Sequence, residues 1–315
     1  MRPAIKAIGL SAVTGLGAGV MTAGAALAQQ TLEKVGHPTP GGMGFQPAST
    51  ELARDLQGLD HLILYIIAGI VIFVTALLIW CILRFNRSRN PKPASFTHNS
   101  PLEIAWTIVP VLILFFIGAF SLPVLFKQQE IPQGEIVIKA TGNQWFWSYE
   151  YLDDGTNAPE GEEPLAFDSY MIGSAATGGD LRLTPEVEEM LTAAGYTRSE
   201  FLLATDTAVV VPIGKTIVVQ VTATDVIHSW TVPAFGVKQD GVPGRLAQLW
   251  FKPEREGIFF GQCSELCGKD HAFMPIAVKV VSEPVYREWL ARAKAGEVEL
   301  TDNAVKGTVQ VASAD

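Results

Sequence analysis

The sequence predicts an α-helical membrane hairpin of two transmembrane helices followed by an all-β sandwich or barrel. Three observations carry this. Residues 62–83 and 104–126 form two runs without a single charge. The loop between them holds only basic charge. From residue 128 onward, short Val-, Ile- and aromatic-rich runs alternate with Gly and Pro, which is the punctuation of short strands.

The chain opens with Arg2 and Lys6, then a small-residue-rich uncharged stretch over 8–27, then Ala26-Leu27-Ala28. A basic start, an apolar middle and a small-x-small end read as a signal peptide over 1–28. The rival, a third membrane helix, fits less well because the run is Gly/Ala-rich and poor in large apolar side chains. Residues 29–59 then form an exported N-terminal segment, ahead of a hairpin over 60–127.

The first run has 22 residues and the second 23, enough at ~1.5 Å per residue to cross a hydrocarbon core of ~30 Å. A soluble helical hairpin would not need runs this long. Pro110 and Pro123 interrupt the second run and imply packing against another membrane protein. Arg84, Arg87, Arg89 and Lys92 lie in the loop 84–100 with no acid among them. Basic loops stay in the cytoplasm, so both flanks face outward, in agreement with an exported N-terminus. Glu103 sits where the second span begins. Position alone favours a helix-start acid over a proton carrier.

In the exported part, 135–139, 144–151, 209–211, 216–221, 246–251, 258–261 and 276–281 read as strands of an antiparallel sandwich. Trp145, Trp147, Tyr149 and Tyr151 alternate and are expected on one face. Two helices are expected, at 185–194 after Thr184 and at 284–295 after Ser282 or Glu283, each with Pro first and Gly past the end. Residues 157–161 and 175–180 read as loops, and 297–315 as a polar tail. Formal net charge is -9, which argues against a nucleic-acid partner.

The most informative segment is Cys263-Ser-Glu265-Leu-Cys267-Gly-Lys-Asp-His271-Ala-Phe-Met274. One upstream His with Cys, His and Met on one loop is the donor pattern of a single-copper electron-transfer site, and His228 supplies the upstream His. A second thiol leaves room for a second copper. A disulfide is the rival for two exported cysteines, and zinc is the rival for Cys2His2, though zinc gains little from Met274. His37, His61 and His98 have no partner at ligand spacing.

The chain resembles subunit II of bacterial heme-copper cytochrome c oxidase. The resemblance rests on Gln144-Trp-Phe-Trp-Ser-Tyr-Glu-Tyr151, Phe167-Asp-Ser-Tyr-Met171, Asp225-Val-Ile-His-Ser-Trp230, Pro243-Gly-Arg245, the cysteine loop, and Pro101-Leu-Glu-Ile-Ala-Trp-Thr-Ile-Val-Pro110. It implies a cupredoxin-like copper domain over 128–296 on the periplasmic side of the bacterial inner membrane. It implies a dinuclear copper A centre held by His228, Cys263, Cys267, His271, Met274 and the carbonyl of Glu265. The Glu265 carboxylate then matches a ligand of Mg or Mn at the contact with subunit I, which carries the heme groups. Trp145 matches the tryptophan at which cytochrome c delivers its electron. Glu103 matches a carboxylate at the mouth of a proton-uptake path, which reverses the reading from position. The implied partners are subunit I, other oxidase subunits, cytochrome c and lipid.

Residues 128–315 hold 27 acids and 14 bases, a surface that attracts a basic partner. Glu150, Asp206 and Asp225 are the favoured docking acids. Residues 183–201 look like an insertion, expected as a peripheral loop. Other functions fit less well. A copper-delivery or thiol-redox protein would call for a thioredoxin-like αβ pattern. A quinol oxidase subunit of this fold lacks the copper ligands. Nitrous oxide reductase needs a second large domain.

Overall fold

The computed structural model describes residues 32–156 and 163–297. The signal peptide expected at 1–28, the loop at 157–161 and all but the first residue of the expected tail lie outside the described residues.

Two helices, α1 (Glu51–Arg84) and α2 (Ser100–Gln129), form the hairpin. Thr50 starts α1 by accepting the Ala53 N–H at 3.0 Å, and Asn99 starts α2 by accepting that of Leu102. Glu103 accepts the Asn99 N–H in return, at 3.0 Å, and so serves the helix start. The helices extend ~51 and ~45 Å, well past a ~30 Å hydrocarbon core. None of their apolar stretch is buried by the rest of the chain, so lipid or a neighbouring protein must cover it.

Helix α1 starts eleven residues before the uncharged run because its outer turns have another use: they anchor the β domain. Leu52 and Ala53 are buried there. The Thr50 hydroxyl donates to the Phe235 carbonyl at 2.7 Å, and Arg54 pairs with Glu254. Lys127 at the end of α2 bridges Glu51 and Asp55 of α1. Gly236 makes the close approach possible, since a Cβ there would lie 2.7 Å from the Ala53 Cα.

The β domain has two main sheets. One runs β1 (Lys34–Val35), β10 (Gly257–Gln262), β11 (Pro275–Val281), β5 (Val209–Pro212) in spatial order. The other runs β4 (Leu165–Ser169), β3 (Phe146–Asp153), β2 (Ile136–Asn143), β6 (Ile217–Ala223), β9 (Ala247–Phe251). A separate hairpin pairs β7 (His228–Val232) with β8 (Val237–Gly241). The expected antiparallel sandwich is corrected here to a mixed one, because β2–β6, β11–β5 and β1–β10 are parallel. Alternating hydrophobicity fixes which face of a strand is buried, not the direction of its neighbour.

Trp147, Tyr149 and Tyr151 of β3 point inward and are fully buried. The Tyr151 hydroxyl donates to the Val210 carbonyl at 2.8 Å and accepts the Val210 N–H at 2.9 Å, tying one sheet to the other. Trp145 departs from expectation: it lies in the two-residue turn between the paired Asn143 and Phe146, off the strand face.

Both short helices form, as α3 (Pro185–Ala193) and α4 (Glu283–Lys294). Thr184 caps α3, whereas Ser282 stands at the start of α4 without a capping bond. The peripheral loop expected at 183–201 is overturned. Val187, Leu191 and Tyr196 belong to the buried core, Tyr196 packs on Phe260, and the nearly buried Glu200 pairs with Lys34 at 3.3 Å.

Candidate metal centre

Strand β10 ends at Gln262 and hands the chain to a loop carrying Cys263 and Cys267. A 3-10 turn, His271–Phe273, follows, and Met274 precedes β11. His228 opens β7. Two glycines let these pieces meet. A Cβ on Gly261 would lie 1.8 Å from the Thr231 carbonyl oxygen of β7, and one on Gly142 would lie 2.7 Å from the His228 Cβ.

The five predicted side-chain donors converge. The two thiol sulfurs are 3.9 Å apart and unbonded. His228 Nδ1 lies 3.9 Å from Cys263 Sγ, and His271 Nδ1 lies 3.4 Å from Cys267 Sγ. Met274 Sδ is 3.5 Å from Cys267 Sγ, and the Glu265 carbonyl oxygen is 3.3 Å from Cys263 Sγ. His228, Cys263, Cys267 and Met274 are buried. The Glu265 side chain faces solvent.

His228 Nε2 meets Asp225 Oδ1 at 2.9 Å, which leaves Nδ1 for the thiol side. Burial alone would push the His228 pKa down, but Cys263 and Asp225 raise it above the usual value. Burial likewise opposes charge on Asp225, yet His228 and the N–H groups of Val226 and Gln144 hold its carboxyl below the usual range. The thiols diverge. Burial works against a Cys263 thiolate, but His228 and the N–H of Glu265 and Ser229 more than offset it and lower its pKa. Burial and the neighbouring Cys263 push Cys267 up to about 12. Cys263 is therefore the easier of the two thiols to ionise, and Cys267 is the one that calls for an added positive charge. A soft cation would supply that charge, and two thiols, two imidazoles and a thioether are the donor set such a cation prefers.

Trp145 packs against the loop. A Cβ on Gly268 would lie 3.0 Å from Trp145 Cζ2, and Lys269 Nζ stands 4.8 Å over the indole. Trp147 donates from Nε1 to the Met274 carbonyl at 3.3 Å and meets His228 edge-on. Of the expected docking acids, Glu150 pairs with Lys139 at 2.8 Å, Asp206 accepts the N–H groups of Tyr170 and Thr207, and Asp225 is bound to His228. Glu103 begins α2 and is not part of this cluster. Sequence reading gave Gln144 no role, although its amide donates to the Cys267 carbonyl at 2.7 Å. Only its place beside Trp145 hinted at this.

Residues 38–124 match the family "Cytochrome C oxidase subunit II, transmembrane domain", and residues 136–281 match "Cytochrome C oxidase subunit II, periplasmic domain". Cytochrome c oxidase subunit 2 of Cereibacter sphaeroides is 64% identical over 285 residues, covering 90% of this chain and 91% of the relative. A probable cytochrome c oxidase subunit 2 of Rickettsia bellii is 39% identical over 254 residues, covering 81% and 85%. The crystal structure of the periplasmic domain of cytochrome oxidase subunit II of Bradyrhizobium japonicum is 44% identical, covers 53% of this chain and 98% of that one, and superposes with a TM-score of 0.41.

Proposed function

Since this chain belongs to the cytochrome c oxidase subunit II family, we propose that it takes electrons from cytochrome c at a dinuclear copper A centre and passes them to heme a in subunit I. It is a subunit of an oxidoreductase complex. Oxygen reduction and proton pumping lie in subunit I on this reading. The observation that carries it is the convergence of two thiols, two imidazole Nδ1 atoms and a thioether in one cluster whose donors are buried except for the half-buried His271.

His228, Cys263, Cys267, His271, Met274 and the Glu265 carbonyl are the residues that would hold the metal. When bound, a copper pair supplies one-electron transfer with the charge shared between the two ions. The chain's part is to hold the donors in place. Each sulfur has one imidazole beside it, and the donors are carried by or next to β7, β10 and β11, so little rearrangement accompanies a change of charge. Trp145, against the loop, is the residue through which the electron enters. On this reading the exposed Glu265 carboxylate would hold Mg or Mn toward subunit I, and Glu103 would stand at the mouth of a proton path. Glu150, Asp206 and Asp225 contribute to an acidic docking face for a basic cytochrome c. On this reading the chain sits in the bacterial inner membrane with N-terminus and β domain on the periplasmic side, supported by the two long apolar helices and the match to a periplasmic-domain family.

The test is metal analysis of the full chain purified with copper, alongside its electron paramagnetic resonance spectrum. Two coppers per chain with a signal delocalised over both are expected. A single localised copper, or a Cys263–Cys267 disulfide that excludes the metal, would sink the reading.

Asp225 separates docking from metal holding. Asp225→Asn keeps an acceptor for the His228 Nε2–H but removes the charge. Copper is expected to stay, while KM for cytochrome c rises at low salt. Asp225→Ala removes the acceptor too, and copper affinity should fall roughly 10- to 100-fold, as for other groups that orient a metal ligand. Equal copper affinity in the two variants would refute the orienting role.

A further inference from the structure

We infer that Gln144 is a positioning residue that fastens the turn bearing Trp145 to two sides of the metal centre, Asp225 beside His228 and the backbone at Cys267, so that indole and ligands are held as one unit. This rests on the reading of Trp145 as the point where the electron enters.

Three contacts define the fastening. The Gln144 main-chain N–H donates to Asp225 Oδ2 at 2.8 Å, and the other oxygen of that carboxylate holds His228 Nε2 at 2.9 Å. The Gln144 side-chain amide donates to the Cys267 carbonyl at 2.7 Å. One residue thus reaches His228 through its backbone and Cys267 through its side chain. The third contact is packing on Gly268, next to Cys267. A Cβ there would lie 3.1 Å from Gln144 Nε2 and 3.3 Å from Trp145 Nε1. Gly268 has φ +128°, so both side chains rest on bare backbone that only glycine readily provides.

Trp145 needs this support. Its Nε1 is buried without a hydrogen-bond partner among the described residues, so no hydrogen bond of its own aims the ring, and Lys269 lies only over its face. What aims it is the turn, and the turn is tied down by Gln144. Aim matters because transfer between groups held in contact is sensitive to ångström-scale misplacement.

A docking residue and a positioning residue predict different kinetics. Docking changes how often the partner binds. Positioning changes how fast the bound partner transfers its electron.

The test uses the assembled oxidase with Gln144→Met, Gln144→Glu and Trp145→Phe. Met keeps the length and loses the amide donor. Ionised Glu keeps the shape, cannot donate, and adds a charge that favours a basic partner. Both Gln144 variants should retain their copper. Both should slow first-order transfer from bound cytochrome c roughly tenfold or more, and Gln144→Glu should do so with a KM no higher than the parent's. Amide hydrogen exchange over residues 144–147 should accelerate in both Gln144 variants and stay at the parental rate in Trp145→Phe. Unchanged exchange and transfer in both Gln144 variants would overturn the inference. So would a raised KM with intact first-order transfer, which would make Gln144 a docking contact. Normal transfer in Trp145→Phe would instead remove the electron-entering role of Trp145, and the exchange data would still decide whether Gln144 fastens the turn.

Discussion

Cys267→Ser in the full chain is expected to lower bound copper from two ions to at most one and to abolish the delocalised spectrum. Each thiol joins one side of the pocket to the other. The Cys267 sulfur lies within 3.9 Å of Cys263 Sγ, His271 Nδ1 and Met274 Sδ, so removing it separates the His271 and Met274 donors from those around Cys263. A serine hydroxyl is a hard, neutral donor at physiological pH and a poor partner for soft copper. It also withdraws the second negative charge that a pair of cations needs. The remaining set of Cys263, His228 and the Glu265 carbonyl could keep one ion, so partial retention is the expected limit rather than a complication. Retention of two coppers in Cys267→Ser would refute the bridging arrangement. The same chemistry sets a pH direction. Because the Cys267 thiol is pushed up to about 12 by burial and by Cys263, its proton must leave as metal binds. Copper affinity should therefore weaken as pH falls.

Much of this was legible in the sequence, for reasons that differ by region. The hairpin was legible because a bilayer tolerates few charges in a long apolar run. The true start of α1 was not, since Glu51, Arg54 and Asp55 are charged for contacts with Lys127 and Glu254 that lie far along the chain. Four of the five side-chain donors fall within twelve residues, and their spacing gave them away. His228 needed the fold to bring β7 beside β10. The strands β4, β7 and β8 carry Asp, Ser, His, Lys and Gln among few β-branched residues, so composition did not announce them, whereas the equally short β9 and the shorter β5 are mostly apolar. Residues 183–201 carry a helical signal that points to the core rather than to a peripheral loop. Val187 and Leu191 stand four apart, one helical turn, and both turn inward. Gln144 and Asp225 were legible only as neighbours of better-marked residues, because the bond between them joins positions 81 apart.

Gly261→Ala is expected to be among the most destabilising single-methyl additions in the β domain, costing about 3 kcal/mol or more, at the upper end of overpacking effects. The added carbon would stand 1.8 Å from the Thr231 carbonyl oxygen, 2.9 Å from its carbon and 3.3 Å from the Val232 Cα. All three are backbone atoms, so no side chain can swing aside. The strands must part, or the chain must rearrange between Phe260 and Cys263. Conformational preference plays no part here: Gly261 is not among the positive-φ glycines, so close approach alone demands it. Because β10 leads straight into Cys263 and β7 begins at His228, parting the strands also widens the gap between two donors 3.9 Å apart. Copper affinity should then fall even at temperatures where the domain remains folded. Gly58→Ala in α1 is the contrast, since a Cβ there meets nothing within 4 Å and alanine favours the helix by about 1 kcal/mol. Thermal unfolding and copper content of the two variants, measured side by side on the full chain, decide the matter. A Gly261→Ala chain as stable and as copper-loaded as Gly58→Ala would mean that the contact between β7 and β10 does not set the geometry of the centre.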